Sequence, residues 1–260
     1  MTHADPPIDA PTTTMRGHRA AGDELRDRVI AITGAGDGIG RAVALAAAAH
    51  GAEVVLIGRT VRRLEATHAD IEAGGGRASV APLDLERALA GDYDELAAAI
   101  TERYARLDGL LHNAALLGTL APIEHYDVPT WVRVMHVNVT AAMALTQVLL
   151  PLLRAAPDPT VVFTTSGVTQ RPAPYWGAYV ASKHAVEGLA TTLAAELGGG
   201  APPVRVNVID PGATRTRMRR QAYPAEDQQR LTPPEALAGC YLWLLGPASR
   251  GITGRRLRCQ

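Results

Sequence analysis

Short runs of β-branched and aliphatic residues recur along the chain at 29–33, 54–57, 79–82, 109–112, 160–164 and 204–209, with a weaker one at 256–258. Longer stretches with apolar residues at helical spacing fill the intervals, near 39–50, 61–73, 92–106, 128–153, 176–197 and 233–246. Continuous apolar runs suit strands buried on both faces, and strand–helix alternation closes through right-handed crossovers onto a parallel sheet. The pattern predicts an α/β chain with a single-domain, doubly wound Rossmann fold over residues 23–260 and a mainly parallel sheet of about seven strands. Residues 1–22 break the rhythm. Prolines at 6, 7 and 11 and the run Thr12-Thr13-Thr14 leave no apolar segment, so this stretch reads as a flexible N-terminal tail rather than a secretory signal.

Composition then narrows the partners. Hydrophobic residues make up 47% of the 260, enough for a full core, and the formal net charge of +0 gives no electrostatic case for nucleic acid or an anionic membrane surface. No run of about 18 consecutive apolar residues occurs, and the alanine-rich stretch 42–49 is too short to span a bilayer. Cys240 and Cys259 are the only cysteines, too few for a disulfide framework, and no Cys/His cluster has metal spacing. The expectation is a cytoplasmic protein that binds a small molecule, with no metal, nucleic acid or membrane partner.

The first predicted strand runs into Gly34-Ala35-Gly36-Asp37-Gly38-Ile39-Gly40 and then into a helix. Glycines at 34, 38 and 40 in that place permit a tight turn, let backbone approach a pyrophosphate and let the helix pack closely on the strand. Nineteen residues beyond Gly40, where a carboxylate would grip the ribose hydroxyls of NAD, stands Arg59, which suits a 2′-phosphate. NADP(H) is therefore the preferred cofactor, with NAD(H) possible. The plainer reading of Arg59 is a solvated arginine, since Arg62 and Arg63 follow. Asp84, after the third strand, is placed either to meet the adenine amino group or to serve as a turn residue.

The chain's single lysine, Lys183, falls four residues after Tyr179, while the other 25 basic residues are arginine. Positions i and i+4 share a helix face. A compact ammonium there favours the phenolate and makes tyrosine, whose ordinary pKa is near 10, a proton donor and acceptor; a planar guanidinium does this poorly.

Taken together, Thr33-Gly34, Gly38-Ile39-Gly40, Asn113-Ala114, Asn138, Ser166, Tyr179 with Lys183, and Pro211-Gly212 resemble, in order and spacing, the short-chain dehydrogenase/reductase family over about residues 25–255. The segments Arg106 to Ala114, Trp176 to Tyr179 and Tyr241 to Leu244 are most similar to its bacterial YciK-like members. The resemblance implies an oxidoreductase that interconverts a carbonyl and a secondary alcohol. Tyr179 would give or take the proton, Lys183 would lower its pKa and bond the nicotinamide ribose, Ser166 would hold the substrate oxygen, and Asn138 would position a water next to Lys183. It further implies that Thr33, Gly34, Gly38, Ile39, Gly40, Arg59, Asp84, Leu85, Asn113, Ala114, Tyr179, Lys183, Pro211, Gly212 and Thr214 bind the cofactor. A homodimer or homotetramer would follow from the apolar helices 128–153 and 176–197. The alternative is a dinucleotide-sensing protein without turnover.

Three positions depart from the family pattern: His112-Asn113-Ala114-Ala115 carries alanine where glycine is usual, Asp37 stands where many NADP-preferring members are basic, and the chain stops at Cys259-Gln260. The substrate pocket is expected to be lined by Leu116, Leu117, Gly118, residues 168–171, Tyr175, Trp176 and an arginine-rich mobile lid at 213–231. Its arginines 215, 217, 219 and 220 either select an acidic substrate or form a solvated face.

Overall fold

A computed structural model describes residues 13, 14 and 22–260. Among these, eight strands form one parallel sheet in the order β1-β8-β7-β6-β5-β2-β3-β4. They are β1 (Thr13–Thr14), β2 (Val29–Thr33), β3 (Glu53–Gly58), β4 (Arg77–Pro82), β5 (Gly109–His112), β6 (Thr160–Thr164), β7 (Arg205–Asp210) and β8 (Arg256–Arg258). The seven predicted strands are all present. The eighth, β1, pairs Thr13 with Leu257 and Thr14 with Arg258 inside the stretch expected as a tail. The remainder of that expectation, residues 1–12 and 15–21, lies outside the described residues.

Side-chain alternation along the strands feeds two cores, one on each face. Ile30, Ile32, Val54, Leu56, Leu111 and Val162 point to the face covered by α1 (Gly38–Ala49) and α2 (Val61–Ala73). Ala31, Val55, Ile57, Leu110, Val161 and Phe163 pack on the other face, below α3 (Ala90–Arg103). A long helix follows in three parts: α4 (Val128–Met135), a π-helical turn over His136–Thr140, and α5 (Ala141–Arg154). By length and composition Val128–Arg154 could cross a membrane, but half of its most apolar window is buried in the fold and it packs on α3 and α6 (Gly177–Leu197).

Strand order reverses between β5 and β2, so the crevice at their C-terminal ends is where an open α/β sheet binds ligands. The expected lid, 213–231, contains a helix of its own, α7 (Arg217–Ala222), capped when Thr216 Oγ1 accepts from Arg219 N at 3.1 Å. The chain closes with α8 (Ala238–Leu245) and β8.

Candidate active site

One cavity of about 630 Å³ opens at this crevice. Its outer end is the glycine turn. Gly34 has φ +69°, a left-handed conformation that glycine adopts without strain. A Cβ at Gly40 would run into the Gly34 carbonyl and come 2.7 Å from the Asn113 amide nitrogen, so α1 can approach β2 only with glycine there. Asp37 caps α1 by accepting from Gly38 N at 2.8 Å.

Around this turn the charges are paired and exposed. Asp37 meets Arg63 at 2.9 Å and Arg217 at 3.7 Å, while Glu86 meets Arg133 at 2.8 Å and Arg59 at 3.5 Å. The hydrogen bond from Arg133 holds the Glu86 carboxyl below the ordinary range. Asp37, the residue that argues against NADP in the sequence, thus has its charge opposed by two arginines. Asp84 lines the cavity and also accepts from Glu86 N at 3.1 Å, fulfilling the turn role.

At the inner end Tyr179 and Lys183 project from α6 beside Ser166 at the end of β6, and both are almost wholly buried. Burial pushes the Tyr179 hydroxyl up to about 12, and a hydrogen bond with the Ser166 side chain acts in the opposite direction. The sequence leads one to expect lowering by Lys183; within the protein alone burial wins instead. Lys183 Nζ donates to the Thr164 carbonyl at 2.8 Å and lies 5.5 Å from the Tyr179 ring centre. Its own pKa is brought down to about 8 by burial, with the Glu187 carboxylate pulling it back up.

Glu187, one turn beyond Lys183, anchors a polar network under the site. Its Oε1 accepts from Thr165 Oγ1 at 2.6 Å, Thr169 Oγ1 at 2.8 Å and Arg256 Nε at 3.1 Å. Arg256 Nη2 continues to Asp210 at 3.1 Å and to the Ser166 carbonyl at 3.3 Å. The sequence reading missed Glu187, although its place four residues after Lys183 on the same helix face is a signal that could have found it. Nothing local marks Arg256 or Asp210.

Most of the anticipated residues meet in this cavity. Gly34, Gly38, Ile39, Arg59, Asp84, Leu85, Asn113, Ala114, Ser166, Tyr179, Lys183, Pro211, Gly212 and Thr214 all line it. Thr33, Gly40 and Asn138 stand behind the wall. Thr33 Oγ1 accepts from Asn113 N at 2.9 Å and Ala114 N at 3.1 Å, tying β2 to β5. Asn138, presented by the π turn, clamps Leu116 through both backbone groups, at 2.7 and 2.9 Å, and donates to Ser182 Oγ at 2.9 Å. Its side chain thereby holds the Leu116 loop in place.

On the substrate side Leu116, Leu117, Val168 and Trp176 line the cavity as expected, whereas Gly118, Thr169, Gln170, Arg171 and Tyr175 do not. Tyr175 is 59% exposed and turns outward. Met218, Arg219 and Tyr223 of the expected lid complete the wall. Trp176 stacks edge-on against Tyr179 at 5.8 Å and packs tilted on Tyr223 at 5.5 Å, which links the lid to Tyr179. His112, where the family pattern departs, lies beneath, stacked 4.6 Å from Phe163 and bonded to Thr146 Oγ1 at 2.8 Å; burial drives its pKa down to about 3, so it stays neutral.

A glycine turn on a switch-point crevice with a Tyr–Lys pair at its inner end is the architecture of a dinucleotide-dependent oxidoreductase, and the family model for short chain dehydrogenase matches residues 28–227. The chain belongs to the short-chain dehydrogenase/reductase family, whose members act on CH–OH and C=O groups with NAD(P). Within it the chain is YciK-like: it is 44% identical over 239 residues to the uncharacterized oxidoreductase YciK of Escherichia coli K12, covering 92% of this chain and 94% of that one. A short chain dehydrogenase structure from Pseudomonas syringae matches at TM-score 0.91 and 47% identity, over 94% of this chain and 99% of the other. One from Shigella flexneri 2a, complexed with NADP, matches at TM-score 0.88 and 43% identity, over 92% and 99%.

Proposed function

We propose that this protein is an NADP(H)-preferring oxidoreductase that interconverts a carbonyl and a secondary alcohol, with Tyr179 as proton donor and acceptor. The observation that carries the reading is the buried Tyr179 hydroxyl, bonded to Ser166 and lying beside the chain's only lysine in the same cavity as the glycine turn. The residues present fit the cofactor. The turn at 34–40 and the N-terminus of α1 would hold its pyrophosphate, and Arg59 with Arg63 would face the 2′-phosphate. The Shigella flexneri relative complexed with NADP supports that choice. Bound cofactor would supply or accept the hydride.

The protein's own residues handle the proton. A tyrosine held at about 12 keeps its proton at neutral pH and so enters the reductive direction as an acid. Ser166 Oγ orients the carbonyl oxygen toward Tyr179 Oη, from which the proton moves. The Lys183 ammonium, fixed by the Thr164 carbonyl, favours the phenolate left behind. In the oxidative direction the same phenolate takes the alcohol proton. The exposed apolar side chains of Val128, Val132 and Met143 on the long helix support a homodimer or homotetramer, which light scattering would check.

The test is NADPH binding by fluorescence followed by a panel of ketones, aldehydes and secondary alcohols. Oxidation of NADPH that depends on a carbonyl, and that is lost in Tyr179→Phe with binding retained, is the expected result. Binding without turnover on any member of the panel would favour a dinucleotide sensor.

A further inference from the structure

The lid sequence raises the question of an acidic substrate, and the side-chain pairing answers it. Two lid guanidiniums line the cavity, those of Arg217 and Arg219. Arg217 turns to Asp37 at the outer end, at 3.7 Å. Arg219 is held by Glu226 in a two-pronged pair, Nε to Oε2 and Nη2 to Oε1, each at 2.6 Å, and its guanidinium lies 3.9 Å from the centre of the Tyr223 ring. Arg219 is thereby committed, and Arg217 stands at the outer end beside Asp37. Lys183 is the remaining cation on the cavity wall near Tyr179, and it is committed to Thr164. The cavity-lining acids Asp37, Asp84 and Glu86 sit at the outer end with partners of their own, so no carboxylate waits for a cation either.

What remains on the substrate side is mainly apolar and aromatic, Leu116, Leu117, Val168, Trp176, Met218 and Tyr223, with uncharged polar groups from Thr214, Thr216 and Gln221. The rings run without a break from Tyr179 through Trp176 to Tyr223. A carboxylate brought into this wall would lose its hydration with no counter-charge, whereas a flat apolar body would bury its surface against the rings.

Resting on the function proposed above, we infer that the substrate is an uncharged carbonyl or alcohol on an apolar, ring-bearing body, that Trp176 and Tyr223 are its specificity-determining contacts, and that Glu226 enforces neutrality by occupying Arg219. The discriminating role falls to Glu226 because it converts the one suitably placed guanidinium into a neutral pair.

The experiment compares kcat/KM with NADPH for acetophenone, its carboxylate analogue 4-acetylbenzoate, and small, ringless 2-butanone. Unmutated protein is expected to prefer acetophenone over both. Glu226→Gln should release Arg219 and raise the 4-acetylbenzoate to acetophenone ratio by about tenfold or more, the worth of one charge-assisted hydrogen bond. Adding Arg219→Gln to that variant should return the ratio to its starting value, which separates a freed guanidinium from a loosened lid. Trp176→Ala should cost acetophenone about tenfold more than it costs 2-butanone. Retained NADPH binding and melting temperature confirm that each variant is folded. Preference of the unmutated protein for 4-acetylbenzoate, or a ratio unmoved by Glu226→Gln, overturns the inference while leaving the oxidoreductase reading intact. Turnover of none of the three with NADPH bound, together with none on the broad panel, overturns both.

Discussion

β7 carries a buried charge at each end, and the two do different work. At its start, Arg205 donates to Asp158 at 3.2 and 3.3 Å, and the same carboxylate takes Arg28 at 3.2 Å. Arg205 also donates to the carbonyls of Leu244, Gly246 and Ser249, so this cluster ties the N-terminal ends of the strands to α8. At the strand's other end, Asp210 meets Arg256, which joins Glu187 and the Ser166 carbonyl beneath the cavity. Both are ion networks supported by backbone and hydroxyl partners, with Arg28 Nε, among the described residues, the one buried donor of the first left without an acceptor. Only the second lies within reach of titrating groups facing a ligand crevice. On the function proposed above, the same chemistry serves stability at one end of a strand and proton handling at the other, and position relative to the strand's C-terminal end decides which.

The sharpest way to break this comparison is to strike the proposed catalytic end directly. Tyr179→Phe and Lys183→Arg should each lower turnover by about 10²- to 10⁴-fold, the range of general acid–base contributions, with the melting temperature little changed. Steady-state kinetics beside thermal melts checks it; near-normal turnover of Lys183→Arg across pH 6 to 9 would mean that Lys183 is structural.

The opposite end should give the opposite result. Asp158→Asn leaves two buried guanidiniums without their counter-charge and should destabilise the protein by about 3–5 kcal/mol, measured by urea unfolding. The protein that remains folded should keep its kcat and its pH profile. A variant with full stability but impaired turnover would show that the two ends are coupled.

A finer test is pH. Burial lowers Lys183 from its ordinary 10.5 to about 8, so between those values the folded protein has released a proton that the unfolded chain still binds. Where the unfolded state binds more protons, stability rises with pH, so this group's contribution increases from pH 8 to 10.5 while reductive turnover, which needs the ammonium, falls. Tyr179 adds the reverse slope later: with its pKa raised to about 12, the folded protein retains a proton that the unfolded chain loses above 10, and stability declines from there. Glu187→Gln removes the carboxylate that favours the charged lysine. The alkaline limb of the kcat profile should then move to lower pH and turnover at pH 8 should drop several-fold, about fivefold for a one-unit shift. A merely structural Glu187 would lower stability and leave that limb in place.

These contrasts also show what a sequence can carry. The sheet was legible because strands buried on both faces leave apolar runs, and Tyr179-(x)3-Lys183 was legible because both residues stand on one helix face. The π turn was not: His136-Val137-Asn138-Val139-Thr140 reads like any other stretch of the long helix, yet the extra residue in that turn presents Asn138 to Leu116 and Ser182. Arg205, Asp158, Asp210 and Arg256 were equally silent, since their partners come from strand ends 46 or more residues apart. In the lid, the arginine-rich run left two readings open, and the pairing of Arg219 with Glu226 was not visible in it. Charge counted along a chain does not reveal which charges cancel in space.

The smallest expected effect on stability lies at the outer, solvated end of the cavity. Arg59 is about half exposed and its pair with Glu86 spans 3.5 Å, so Arg59→Asp should change folding free energy by no more than about 0.5 kcal/mol. Its effect should appear in ligand choice. Loss of a charge-assisted contact to a 2′-phosphate should weaken NADPH relative to NADH by about tenfold or more, read as a ratio of dissociation constants by fluorescence titration. Because these charges are exposed, the preference of the unmutated protein should also shrink as salt rises toward 1 M, where the screening length falls to about 3 Å. The buried Lys183 limb near pH 8 should hold its position over the same salt range. Equal affinity of the unmutated protein for both cofactors at low salt would remove Arg59 from cofactor choice and leave it as part of the solvated rim.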